Sequence, residues 1–187
     1  MANKDSAFGL LPIGKVGQNR DAQGLSEYKI AASATAIYQN DPVKALNTGT
    51  VGVAAAGDLL LGSLNGVFYT DSSTQKPTWA NHLAAANAAT DIVGYVSDDP
   101  YERFEIQSAG SVAQADVFQC GDIAYTAGAS PNFVSKTEIS GTLVSGASAQ
   151  LRILGISKDI NNNDTASANV NVVVNINEHF LNSANGL

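Results

Sequence analysis

The stretch Gly57-Asp58-Leu59-Leu60-Leu61-Gly62-Ser63-Leu64-Asn65-Gly66-Val67-Phe68-Tyr69-Thr70 constrains the fold more than any other part of the chain. Two apolar runs flank Asn65-Gly66, a dipeptide that accepts the positive φ angles of a two-residue hairpin turn. The spacing predicts two antiparallel strands joined by a type I′ turn. The Gly-Asp opening recurs at Gly121-Asp122-Ile123-Ala124-Tyr125, again ahead of a short β-type run.

The remaining periodicity is also of the strand kind. Glu27–Ala31, Thr35–Tyr38, Val43–Leu46, Thr50–Ala54, Ile92–Val96, Arg103–Gln107, Phe133–Lys136 and Gln150–Ile156 read as short strands between Asn, Asp, Gly and Pro turns. The cleanest alternation is Ala168–Asn177, where Val170, Val172, Val174 and Ile176 share one face. Asn169, Asn171, Asn175 and Asn177 share the other with Val173. Val112–Val117 has the pattern of a short helix. Residues 71–90 form one long loop; its Ala84–Ala89 run has helix propensity without an amphipathic stripe.

These signals predict an all-β domain over residues 25–187, a small barrel or sandwich of short antiparallel strands. Residues 1–24 read differently. Phe8, Leu10, Leu11 and Ile13 are apolar but follow neither period, and glycine recurs among them. Such a segment predicts an extended N-terminal arm lying in a groove, supplied by its own domain or by a neighbouring subunit, with those four residues as apolar anchors.

Charged residues make up only 14% of the 187, well below the roughly 25% of ordinary soluble domains. A surface of small neutral groups costs little to desolvate against a partner. The net charge of -7 opposes nucleic-acid binding, which draws on clustered Lys and Arg. No run approaches the ~18 apolar residues of a membrane span, and no signal-peptide pattern is visible, so synthesis in a cytosol is expected.

Candidates for chemistry are sparse. Cys120, the one cysteine, reads as a small core hydrophobe. His82 and His179 stand in no metal-ligand spacing. Asp98-Asp99, with Asp91 and Glu102 nearby, has the carboxylates of an acid–base pair or hard-cation site, but Asp-Asp-Pro is also plain turn chemistry. Asp159–Asp164 copies the front of a calcium loop and then fails, with Asp164 where glycine is required and Val170 where the terminal Glu belongs. Trp79, in the long loop, has the character of an interface anchor or a sugar-stacking ring. No catalytic residue, cofactor or metal ligand is expected.

The order of segments carries a resemblance. Ala36–Val43, Leu61–Asp71, Val96–Pro100 with Phe104–Gln107, and Gln150–Gly155 together resemble head structural proteins of tailed bacteriophages, marine phages and cyanophages included. The Gly-Asp-Ile-Ala-Tyr pattern is similar to small β-barrel capsid decoration proteins. The resemblance spans about Phe8 to Phe180. It implies a cement protein on the outer capsid surface of the virion, often trimeric, tying major capsid subunits together without enzymatic residues. The expectation is therefore a structural protein whose partners are the major capsid protein and its own copies, with neither nucleic acid nor membrane. A tail or baseplate component, or a glycan-binding β module using Trp79, are the alternatives.

Overall fold

The computed structural model describes residues 2–16, 24–145 and 149–183. In chain order the strands are β1 (Leu11–Lys15), β2 (Ser26–Lys29), β3 (Pro42–Ala45), β4 (Val51–Val53), β5 (Gly62–Thr70), β6 (Pro77–Ala80) and β7 (Val93–Ser97). They continue as β8 (Glu102–Gln107), β9 (Cys120–Gly121), β10 (Ile123–Ala124), β11 (Glu138–Ile139), β12 (Leu151–Ile156) and β13 (Asn171–Ile176). One antiparallel sheet has the order β1-β8-β13-β12-β9; the other runs β2-β7-β5-β3-β4, with β6 also on β5. β10 and β11 form a small ribbon. Among the described residues no barrel closes, and the architecture is an all-β, sandwich-type arrangement of short strands.

Each main sheet buries one face over its own apolar cluster. Under the first lie Leu10, Phe104, Ile106, Leu151, Ile153, Val170 and the Val172, Val174, Ile176 face of β13. The alternation in β13 thus sets the register as the sequence predicts, opposite β8 (Val174↔Phe104) and β12 (Val174↔Ile153). The second cluster collects Ile30, Ile37, Val43, Leu61, Leu64, Val67, Leu83, Ile92 and Val96.

Asn65-Gly66 makes no hairpin. β5 runs unbroken from Gly62 to Thr70, and its register against β7 shifts between Leu64 and Gly66, so Asn65 is a bulge. Neither residue is among those with positive φ. The cause is tertiary: β7 pairs along one edge of β5, while β3 and β6 share the other edge, so the continuous strand gains more partners than a reversal would. The bulge also flips parity, keeping Val67 in the core as Leu64 is and turning Phe68 outward.

Other local expectations change too. Thr35–Tyr38 forms only the isolated bridge Ile37↔Leu83, and 133–136 only bridges from Val134 to Gln39 and Ala129. The long loop contains β6, and its alanine run is non-helical with Ala86 at φ 56°. The helix at 112–117 shrinks to a 3₁₀ turn, Gln114–Asp116.

Candidate functional site

The N-terminal segment is held along its own domain. Its backbone lacks a strand partner before Leu11, and side-chain amides, the Ser63 hydroxyl and the Asn40 carbonyl supply hydrogen bonds instead. Asn162 Nδ2 and Gln107 Nε2 donate to Lys4 O at 2.7 and 3.0 Å, and Ser6 N donates to Gln107 Oε1 at 2.9 Å. Asn40 Nδ2 donates to Phe8 O at 3.1 Å, and Ser63 Oγ to Leu10 O at 2.6 Å. Gly9 is required here, since a Cβ would lie 2.3 Å from Asn40 O and 2.5 Å from Ser135 Cβ.

Past this tether the four predicted anchors separate. Leu10 is fully enclosed in the first core and so belongs to the chain's own interior, not to a free surface. Phe8 is half-buried. Leu11 and Ile13, on edge strand β1, are 38% and 44% exposed, and Val16 follows at 51%. Pro12 and a register shift between Pro12 and Gly14 interrupt this edge, devices that discourage further strand pairing. What β1 offers outward is therefore apolar side chain.

A second exposed apolar surface lies on the other sheet. Phe68 pairs with Trp79 of β6 and with Val93 of β7, and Val93 with Lys29 of β2. In the next row Gly66 faces Tyr95, which faces Glu27. The Trp79 indole leans into this row over Gly66, where a Cβ would come within 2.8 Å of Trp79 Cζ2. It also packs on Tyr95, with centroids 4.8 Å apart and planes at 53°. Trp79 remains 55% exposed and Phe68 38%. Burial and the neighbouring Glu27 carboxylate raise the Tyr95 phenol above its ordinary range. The missing side chain at Gly66 leaves room for the indole to lie against the strand beside Tyr95.

The polar candidates are tied into the fold. Asp98 accepts from Ser26 Oγ and Tyr28 OH of β2 at 2.9 and 2.5 Å. Asp99 pairs with Lys15 of β1 at 2.5 Å, which holds its carboxyl below the usual range. The Asp98-Asp99 turn thus braces both N-terminal strands. Asp91 accepts from Thr70 N. Asp159 serves Asn161 N at 3.0 Å, and Asp164 serves Ala166 N and Ser167 Oγ at 3.1 and 2.9 Å; both carboxylates bind their own loop. No group of three or more His, Cys, Asp or Glu that could hold a metal occurs among the described residues. Cys120 is buried in β9. His82 stacks on Phe133 at 3.9 Å, its pKa lowered by burial. His179 accepts from Leu181 N and is likewise pushed down by burial, against the raising influence of Asp98 and Asp99.

Two buried carboxyls stand out only in three dimensions. Asp41, fully enclosed, accepts from Tyr38 N at 2.8 Å and is pushed up to about 6 by burial, with Ser135, Tyr38 and Tyr125 acting against that rise. Glu102 is 2% exposed. The sequence marks Asp41 only as a turn residue and Glu102 only as part of an acidic stretch, since burial is conferred by distant strands. No protein-family model, curated protein or solved structure matches the chain.

Proposed function

We propose that this chain is a capsid decoration protein that adheres to the outer surface of a tailed-phage head and ties major capsid subunits together, with its own copies, in a trimer, as further partners. The observation that carries the reading is the pair of exposed apolar surfaces on different sheets, Leu11/Ile13/Val16 on one and Phe68/Trp79 on the other. Large exposed aromatic and aliphatic side chains on rigid strands are the material of protein interfaces. Two such surfaces allow one molecule to bridge two neighbours, and on a lattice weak single contacts multiply into firm retention. The low charge content lowers the desolvation cost of both, and the acidic net charge suits a place outside the shell, away from packaged DNA.

Mixing purified protein with heads assembled from the major capsid protein of the same genome tests this reading. Saturable co-sedimentation, abolished by Trp79→Ala combined with Ile13→Ser, is expected. Failure to bind any particle refutes it. The exposed Trp79 indole resting against Gly66 favours glycan binding as a second reading. Binding on a glycan array that is lost in Trp79→Ala, with no particle binding, would select it.

A further inference from the structure

A cleft of about 230 Å³ lies where the N-terminal strand meets the start of the second sheet, lined by Leu11, Pro12, Gly24, Leu25, Gln39, Asn40, Asn65, Ser97 and Glu102. Among the described lining residues Glu102 alone is charged. The Glu102 side chain is in phase with Phe104 and Ile106 on the core-facing side of β8. It is 2% exposed, and its Oε1 has no hydrogen-bond partner. A buried carboxylate oxygen without a donor carries its desolvation cost uncompensated. Lys15 and Arg103 act on the carboxylate only through space, since their heads are bonded elsewhere: Lys15 Nζ to Asp99, and Arg103 Nη2 to Lys15 O at 2.8 Å. The Gly14 backbone N–H serves the carboxylate, and Asp99 adds a second negative charge in its field.

Among the described residues the remaining lining has no other charged side chain. Gln39 and Asn65 contribute amides, while Leu11, Pro12 and Leu25 supply apolar wall suited to a hydrocarbon stem. The volume is below the roughly 300 Å³ at which small-molecule sites begin, which fits one long side chain.

We infer that this cleft is a socket for the cationic head of a lysine or arginine side chain on a partner protein, with Glu102 as its counter-charge. The bulge at Asn65 and the edge strand β1 form its walls, so the socket lies beside the apolar Leu11 of the first contact surface. It stands whether the partner is a capsid subunit or another protein.

The test is a ¹⁵N–¹H correlation titration of the full chain with ethylammonium chloride and with methylguanidinium chloride, each against sodium chloride of equal ionic strength. Saturable shifts confined to Leu25, Asn65, Ser97 and Glu102 are expected with either organic cation. Glu102→Gln should weaken the apparent affinity at least tenfold. Asn65→Asp, which adds a carboxylate at the half-buried bulge, should strengthen it two- to fivefold and keeps the test decisive if the Glu102 variant folds poorly. Shifts that grow linearly without saturation, that match sodium chloride, or that persist equally in both variants overturn the assignment.

Discussion

The two main sheets differ in what they do with the face turned away from the core. The first sheet sets polar residues there: Arg103 faces Asn175, which faces Arg152, and Glu105 faces Val173. The second sets Phe68, Trp79, Tyr95 and Val93 there, with Glu27 and Lys29 only at the margin. Their central strands differ in the same sense. β13 keeps an unbroken inward face, whereas β5 changes parity at a bulge and thereby delivers an aromatic outward. On the proposed function one sheet is a frame and the other a contact surface carried by a frame. On that function the first would meet partners only at its edge, through Leu11 and Ile13.

Substitutions break or sharpen that contrast in order of size. Val172→Asp puts an unpaired charge at a fully buried position of the frame. It should cost more than about 4 kcal/mol and abolish cooperative folding, read by circular dichroism. Retention of a sharp melting transition would dissolve the frame half of the comparison.

Asp41 tests the junction, because Asn40 O accepts Leu10 N from the first sheet's arm while Asp41 O accepts Leu64 N of β5. Its folded pKa of about 6 is above the ordinary 3.8, so the native state holds the extra proton. The associated stability is fully present below about pH 4 and is lost as pH rises through about 6, by up to about 3 kcal/mol. Glu102 and Glu138, also raised by burial, act in the same direction; Asp58, Asp91 and Asp99, held low by donors, act oppositely. The informative quantity is thus the difference between wild type and Asp41→Asn in denaturant melts from pH 4 to 7. That variant keeps an acceptor for Tyr38 N and should gain stability relative to wild type as pH rises.

Gly66→Ala sharpens the contact half. Its Cβ would meet Trp79 Cζ2 at 2.8 Å and Ala80 O at 3.0 Å, so the indole must lift. We expect a loss of about 1–3 kcal/mol and a red-shifted emission from the chain's one tryptophan. An unchanged spectrum would show that the ring does not rest on the glycine. The smallest stability effect belongs to Trp79→Ala, within about 1 kcal/mol because the ring is 55% exposed. Its particle affinity should nevertheless fall at least about thirtyfold, the level of an interface anchor.

The same contrast explains what the sequence makes legible. β13 is plain because burial on one side alone dictates its alternation, and nothing tertiary competes with it. β5 is misleading because Asn-Gly supports a turn and a bulge alike, and only the partners on both edges decide. β1 escapes detection because Pro12 and Gly14 erase its period, and its pairing comes entirely from β8. Trp79 is legible as an aromatic in a polar loop; its support from Gly66 and Tyr95 is not, since those residues are distant in sequence. Leu10 differs from Leu11 only through which side of β1's entry faces the core.

Adhesion through a matched pair of apolar faces is the central claim, and particle binding measures it most directly. Titrating purified protein onto heads that lack it, with occupancy read by electron cryomicroscopy and head integrity by heat challenge, should give saturable addition at repeated lattice sites and a raised disruption temperature. Density should place β1 against one subunit and Trp79 against another. Heads that stay bare at saturating protein, or occupancy unchanged after both faces are made polar, would contradict it.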